Sequence, residues 1–265
     1  MSSCGSGTRI AGLSTLMSFV LGLFLVGLAQ GERTQHGSLI VSLDGQLSPL
    51  TLPRDRLAPV AVQLGGSLQT DDGSVLPQVA RVELGLPRQG ALSTRGLPVC
   101  PHRRIRVTDS TAALNVCRSA LVGHGRVDMT VQLPNQAPFE VRVRLLAFNT
   151  RIGTSRAVLL HAFAPKPPFS VVLPFLVRHR AGRFGMALAA DLPALGQWAR
   201  VAKFEMTLSR RYSYQGRRFS YLSASCPIPE RFTAGFFSFA RVVYDLADGR
   251  QVSTAIARSC RARKG

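Results

Sequence analysis

The sequence has few acidic residues and almost no lysine. Its 265 residues include 14 acidic residues against 33 basic ones, the only lysines are Lys166, Lys203 and Lys264, and the net charge is +19. This balance favours anionic partners such as phosphate-rich envelope polymers or lipid surfaces. GC-rich coding is a competing explanation for the excess of arginine over lysine, but it does not account for the shortage of acids. We do not expect nucleic acid to be a physiological partner, although any basic surface attracts it.

The sequence also lacks motifs for known chemistries. It contains no nucleophile elbow, no zinc-protease helix and no phosphate-cradling loop. The five histidines are widely spaced, and His161 lies in an apolar run that is typical of a core position. No two cysteines stand two to four residues apart, as zinc sites require. We therefore expect no enzymatic activity, no cofactor and no metal; a hydrolase without a recognisable motif is the alternative.

The first 31 residues resemble a targeting segment. Arg9 is followed by the uncharged run at positions 13–29, and Ala29 and Gly31 occupy the −3 and −1 positions of a cleavage site after Gly31. This pattern predicts a secretory signal peptide. An uncleaved anchor helix is the alternative, although the apolar run is slightly short for a membrane span. Either reading places the remaining chain in a secreted form or on the extracytoplasmic face of the envelope.

Four cysteines remain after residue 31, and an even number in an exported chain predicts two disulfides. Four cysteines allow three connectivities. Pairing by sequence order closes the two shortest loops and is favoured, with free buried thiols as the alternative; the predicted pairs are Cys100 with Cys117 and Cys226 with Cys260.

Most of the remaining chain alternates apolar and polar residues between turn residues, as β-strands do. Strands are predicted at positions 38–43, 60–64, 79–84, 126–133, 139–148, 157–163, 170–177, 203–214, 217–226, 236–246 and 251–260. Leu-Pro occurs seven times, and proline marks the ends and edges of strands; Leu173-Pro174 therefore predicts an edge or a bulge. The pattern predicts an all-β, mostly antiparallel β-sandwich over residues 36–262, with two tandem β-sandwiches as the alternative.

One short helix is predicted near residues 111–122. Thr108, Ser110 or Thr111 can cap it, and Gly123 is a suitable stop. A subdivision of the domain is considered near residues 109–125, although no linker-like composition occurs there. A second helical turn is considered at positions 192–198.

The segment 210–226, RRYSYQGRRFSYLSASC, predicts a hairpin that turns at Gln215-Gly216. Its register would pair Tyr214 with Arg217, Tyr212 with Phe219, Arg210 with Tyr221 and Leu208 with Ser223. The tyrosines then continue the apolar stripe of the strand before them, which favours packing, with Arg210 held between Tyr212 and Tyr221 by cation–π contacts. If the rings are exposed instead, arginine beside tyrosine suits phosphates, carboxylates or sugars. The candidate anion-binding residues are Arg210, Arg211, Arg217, Arg218, Tyr212 and Tyr214.

Asp248-Gly249 predicts a second, two-residue hairpin turn near the end of the sequence. The implied register pairs Val243 with Thr254, Arg241 with Ile256 and Phe237 with Cys260. Cys260 would then share a face with Phe237, Phe239 and Val243, and the tail after it is expected to fray.

Two segments, YLSASCPIPERF (221–232) and ALNVCRSALVGHG (113–125), contain the patterns Ser-Ala-Ser-Cys-Pro and Cys-x-x-Ala-Leu-Val-Gly-x-Gly. In these patterns the chain resembles a group of uncharacterised exported proteins from high-GC actinobacteria. The resemblance implies export and a β-fold with paired cysteines, but it implies no activity and no functional residues.

Taken together, these features predict a secreted or envelope-associated, disulfide-containing β-protein without enzymatic activity. The first functional hypothesis is binding to an anionic envelope polymer or lipid surface through exposed arginines. The second is a purely structural envelope protein, in which case the basic residues should be scattered evenly over the surface.

Overall fold

The computed structural model describes residues 32–105, 109–193 and 199–263. The predicted signal peptide and most of the helical turn considered at positions 192–198 lie outside these residues. The strands are β1 (Glu32–His36), β2 (Leu39–Ser48), β3 (Thr51–Pro53), β4 (Ala58–Pro59), β5 (Ala61–Thr70), β6 (Val79–Leu86), β7 (Gly90–Leu92), β8 (Leu121–Val131), β9 (Phe139–Ile152), β10 (Ser155–Pro165), β11 (Pro168–His179), β12 (Met186–Asp191), β13 (Ala199–Leu208), β14 (Arg211–Tyr214), β15 (Arg217–Ser220), β16 (Leu222–Ala224), β17 (Ala234–Leu246) and β18 (Gln251–Arg263).

Thirteen of these strands form one sheet, in the order β1-β2-β5-β13-β8-β9-β10-β11-β12-β6-β17-β18-β3. All neighbours are antiparallel except β18 and β3, which are parallel. The prediction of a mostly antiparallel all-β fold is therefore confirmed. The predicted sandwich is not seen: the sheet curls into a half-barrel instead of dividing into two layers. Because β13 pairs with both β5 and β8, strands from distant parts of the chain join one continuous sheet.

The alternation along β9 explains which face of the sheet is buried. Val143 and Leu145 are buried on the concave side, whereas Arg142 and Arg144 are exposed on the convex side. One apolar and one wet face is typical of antiparallel sheets. A sheet of this width can bury its apolar face by curling around it.

Side-chain contacts connect the first strands of the sheet to β18, near its other edge. The Thr34 hydroxyl of β1 donates to the Thr254 hydroxyl of β18 at 2.9 Å, and the His36 Nε2 lies 3.0 Å from the Ser253 carbonyl oxygen. Further along β18, the Arg258 guanidinium lies 2.6 Å from a carboxylate oxygen of Asp44 on β2. These contacts hold together parts of the chain that are more than 200 positions apart.

A separate small sheet consists of β4, β16 and β7. In the sequence, β4 precedes β5, β7 follows β6, and β16 follows β15. Leu92, Tyr221 and Leu222 from this region are buried in the same apolar cluster as residues of the main sheet. The small sheet therefore packs against the main sheet.

The last hairpin has a different register from the predicted one. Val243 pairs with Ser253 and Arg241 with Ala255, one residue away from the expected partners. The turn contains more than two residues, since Asp245 pairs with Gln251, and a bulge lies between Ser238 and Ala240. The bulge reverses the alternation of faces along β17. Val243 therefore does not share the buried face, which carries Val242, Tyr244 and Leu246. Cys260 pairs with Gly235 and not with Phe237 as predicted.

The predicted helix is present as α1 (Ser110–Cys117), followed by a 3₁₀ turn at Arg118–Ala120. Asp109 caps it, because its carboxylate accepts hydrogen bonds from the backbone N–H groups of Thr111 and Ala112. Ser110 and Thr111 are therefore not the cap, and Thr108 lies outside the described residues. Gly123 does not end the helix; it lies within β8, which begins at Leu121. Residues 109–125, where a subdivision was considered, thus run from the helix cap into the main sheet.

Both disulfides form as favoured by sequence order. Cys100–Cys117 connects α1 to the loop before it, and this cluster packs on the convex face of the sheet against Phe148 and Leu159. Cys226–Cys260 connects the segment after β16 to β18. All four sulfur-bearing residues are at most 2% exposed.

Replacing each cysteine pair by alanine should lower the free energy of unfolding. Loop-closure entropy predicts losses of about 3 kcal/mol for C100A/C117A, which are 17 positions apart, and about 4 kcal/mol for C226A/C260A, which are 34 apart. Urea unfolding under non-reducing conditions measures both losses. A loss below about 1 kcal/mol for either pair would contradict this role of the disulfides.

Gly125 should be intolerant of any side chain, because β13 approaches β8 closely there. A Cβ atom at Gly125 would lie 2.1 Å from the Glu205 carbonyl oxygen and 3.0 Å from the Met206 Cα, both backbone atoms. We expect G125A to lose at least about 1–3 kcal/mol of stability. The control is G65A in β5, where the added Cβ would meet Phe204 O at an ordinary 3.5 Å. Equal melting temperatures for the two variants would refute the prediction.

Candidate functional site

The predicted arginine- and tyrosine-rich hairpin is formed by β14 and β15. Tyr214 pairs with Arg217 and Tyr212 with Phe219, as predicted. Gln215 and Gly216 at the turn have φ angles of 48° and 71°. Positive φ at both central residues is the requirement of the tight hairpin turn that matches the twist of the strands.

The hairpin does not continue into the main sheet as predicted. The Tyr221 N–H still donates to the Arg210 carbonyl oxygen at 2.8 Å. Beyond that point Leu208 pairs with Val62 and Gly123 in the main sheet, and Ser223 belongs to the small sheet. The predicted pair of Leu208 and Ser223 is therefore wrong, because β5 and β8 already occupy both edges of β13.

The two hairpin tyrosines pack against neighbouring residues. The Tyr212 ring stacks on Phe219 with centroids 5.8 Å apart, and its hydroxyl donates to the Arg95 carbonyl oxygen at 2.9 Å. The Tyr214 ring covers Gly96, where an added Cβ would lie 2.1 Å from the ring. The cation–π contact expected for Arg210 is not formed among the described residues, and the Arg210 Nε is buried without a hydrogen-bond partner.

Two of the four candidate arginines lie together in a surface groove of about 460 Å³. Arg211 and Arg218 line this groove with Arg263, the stacked pair of Tyr212 and Phe219, and residues of the chain segments around β3 and β4. We call it the arginine groove. Arg210 and Arg217 are not among its lining residues. Arg263 was expected in a frayed tail, but β18 continues past Cys260 and pairs with β3.

The guanidinium groups of the arginine groove have no carboxylate partner among the described residues, and no acidic side chain lines the groove. Other arginines are paired. Arg126 lies 2.6 Å from Glu205, and the Arg142 Nε lies 3.0 Å from Asp128. Hydrogen bonds from Lys203 and then Arg126 lower the pKa of Glu205, which indicates that this carboxylate is committed to its neighbours. Positive charge is thus left uncompensated in the arginine groove.

A second cavity, of about 180 Å³, lies inside the half-barrel. Its lining surface is entirely apolar and includes residues of β5, β6, β8 to β13 and β17. The alternating pattern identifies which side chains face inward, but it carries no information on whether they fill the space between the walls.

His161 is fully buried on β10, as expected for a core histidine. Within the described ranges, no group of three or more His, Cys, Asp or Glu residues is placed to hold a metal ion. No helix in those ranges is long and apolar enough to cross a membrane.

Comparison with known proteins found no matching family model, no matching curated protein and no matching solved structure. The resemblance to exported actinobacterial proteins therefore stays a prediction.

Tyr221 and Tyr244 should ionise only at unusually high pH. Burial raises the pKa of both phenols, although the nearby Arg156 partly opposes this rise for Tyr221. Since the unfolded pKa is about 10, the unfolded protein loses these protons first. The contribution of the two phenols to stability should therefore be fully present below about pH 10 and be lost as the pH rises above it.

Absorbance titration of the four tyrosines measures this effect directly. Two phenols should stay protonated until the protein unfolds, and Y221F should remove one of them without loss of stability, since the Tyr221 hydroxyl has no hydrogen-bond partner. Reversible ionisation of all four phenols near pH 10 in the folded protein would contradict the prediction.

Proposed function

We propose that this chain is a non-enzymatic protein of the cell exterior or envelope that binds phosphate-bearing polymers or lipid surfaces through the arginine groove. Two buried disulfides support an oxidising compartment, because such bonds are rare in the cytosol. The net charge of +19 supports an anionic partner.

The observation that carries the proposal is the grouping of Arg211, Arg218 and Arg263 around one groove without an acidic neighbour. Guanidinium groups bind phosphate and carboxylate through paired N–H donors, and they are less hydrated than ammonium groups. The stacked rings of Tyr212 and Phe219 and the fixed backbone of β14 and β15 restrict the movement of this surface. Three arginines that line one groove suit a ligand with several anionic groups.

The alternative is a structural protein whose basic charge reflects GC-rich coding. It predicts that all arginines contribute equally to the binding of an anionic ligand. A second groove offers the comparison, because Arg126, Arg142 and Arg144 line it. In that groove Arg126 and Arg142 already form ion pairs, and Asp109 contributes a further negative charge. The two sites therefore match in the number of arginines but differ in free positive charge.

The triple variant R211S/R218S/R263S should weaken binding to inorganic polyphosphate and to vesicles containing anionic lipid. In nucleic-acid binding, each phosphate contact adds roughly 0.7–0.9 to the magnitude of the slope of log K against log salt, because counterions are released. By analogy, we expect the loss of three arginines to reduce the magnitude of this slope by about 2 for polyphosphate. Isothermal titration at several salt concentrations gives both the affinity and the slope.

The control is R126S/R142S/R144S, which removes the same number of charges. It should change the slope much less, because two of its arginines are neutralised within the protein. If both triple variants lose the same affinity and slope, binding depends on total charge and the arginine groove is not the site.

A further inference from the structure

Large apolar side chains are exposed close to the arginine groove. Nine large apolar residues are exposed among the residues that the structure describes, and three of them surround the end of β18: Leu50, Phe232 and Phe236. We call these three residues the apolar patch. Single exposed apolar residues are common on protein surfaces, whereas a group of them marks a site of interaction. Phe236 is 83% exposed, so the protein itself covers little of its ring.

Backbone hydrogen bonds place Leu50 and Phe232 on two sides of β18. The Arg261 N–H donates to the Leu50 carbonyl oxygen at 3.0 Å, on the side where β18 pairs with β3. The Ala262 N–H donates at 2.9 Å to the carbonyl oxygen of Thr233, which directly follows Phe232, on the side where β18 pairs with β17. The end of β18 therefore runs between the two apolar residues.

The end of β18 also connects the apolar patch to the arginine groove. Phe236 lies on β17, which pairs with β18 on the same side as Phe232. Thr51, which directly follows Leu50, lines the groove together with Arg263 at the end of β18. The apolar patch and the arginine groove are thus neighbours on the protein surface.

The loop that carries Phe232 is held in place by Arg54. The Arg54 guanidinium donates hydrogen bonds to four backbone carbonyl oxygens of residues 228–232, at distances of 2.6–3.0 Å. The Arg231 guanidinium also lies 5.3 Å from the centroid of the Phe232 ring. A side chain on an ordered loop loses less conformational entropy on binding than one on a mobile loop. The exposed Phe232 ring is therefore presented to a partner in a fixed position.

The chain segments around the apolar patch carry a net positive charge. Five arginines and two acidic residues occur in these segments, at positions 49–57, 228–236 and 259–263. Arg231, Arg261 and Arg263 are exposed, and none of these three forms an ion pair with a carboxylate of the described residues. Positive charge therefore remains available beside the exposed rings.

Exposed phenylalanines beside arginines suit a lipid surface better than a phosphate polymer. A polyphosphate chain has no apolar group for the rings to contact, whereas a bilayer offers anionic headgroups above an apolar layer. Proteins that lie on a bilayer bind it through buried apolar area together with attraction to anionic lipids. Each arginine near an anionic membrane surface raises the affinity roughly fivefold.

We propose that the apolar patch and the arginine groove together dock this protein on an anionic lipid bilayer. Phe232 and Phe236 enter the boundary between headgroups and acyl chains, and the arginines of the groove bind lipid phosphates. This mode of docking rests on the proposed function and selects the lipid surface from the anionic partners named there.

The double variant F232S/F236S tests the role of the rings. Cosedimentation with vesicles of phosphatidylglycerol and phosphatidylcholine in equal parts measures membrane partitioning, and isothermal titration measures the affinity for inorganic polyphosphate. Partitioning should fall at least about tenfold, because two rings no longer leave water, whereas the polyphosphate affinity should not change. Unchanged partitioning, or an equal loss of both ligands, would overturn the lipid docking mode and leave the proposed function standing.

The matched control is V75S/F139S, because Val75 and Phe139 are exposed apolar residues outside the apolar patch. It should partition like the unchanged protein, and a loss equal to that of F232S/F236S would refute the patch as the contact. R211S/R218S/R263S should lose affinity for both ligands. If it keeps both affinities, the proposed function fails, whatever the phenylalanine variant shows.

Insertion of the ring itself is measured with W198F/F236W, which moves the single tryptophan of the chain to position 236. Bromine atoms on lipid acyl chains quench only a tryptophan that reaches the apolar layer. The fluorescence should be quenched when the phosphatidylcholine of the vesicles is brominated on its chains. Binding to these vesicles without quenching would show that the side chain at position 236 stays outside the bilayer, contrary to the proposal.

Discussion

The contact between β18 and the first two strands is the constraint on which the rest of the structure depends. A thirteen-stranded sheet has one apolar face, and α1 covers part of the opposite, convex face, so the concave face has to be enclosed by the sheet itself. The hydrogen bond between Thr34 and Thr254 and the ion pair between Arg258 and Asp44 hold the sheet in its curled form. Burial of the apolar face provides the driving force for curling, and these polar contacts fix the positions of the first strands relative to β18.

Both candidate sites follow from this curled arrangement. Curling leaves an apolar cavity between the walls, whereas the small sheet and the β14–β15 hairpin are separate from the main sheet. The arginine groove lies where that hairpin meets the end of β18 and the segments around β3 and β4. The disulfide between Cys226 and Cys260 joins the segment after the small sheet to β18, so it stabilises the region around the groove.

Local patterns in the sequence identified the long strands, the helix, the two disulfides and the turn at Gln215-Gly216, because each depends on residues close together in the chain. Strands without a β-like pattern were missed, such as the polar Glu32–His36 and the alanine-rich Met186–Asp191. The half-barrel was not predicted, since strand order across the sheet depends on long-range pairing such as that of β13 with β5 and β8. The pairing of the end of β18 with β3 is also long-range, so Arg263 was not predicted to belong to a site. The alternation along β18 nevertheless continues from buried Cys260 to half-buried Ala262, which indicates a longer strand.

The most direct test of the curled sheet is an engineered disulfide between β1 and β18. The variant T34C/T254C should form this bond spontaneously in the folded, oxidised protein, because the two hydroxyl oxygens are 2.9 Å apart. The control T34C/T130C places the second cysteine on β8, between β13 and β9 in the sheet, and should keep two free thiols. Thiol counting and peptide mapping distinguish these results. If T34C/T254C keeps two alkylatable thiols in its folded form, β1 and β18 are not in contact and the half-barrel described above is wrong.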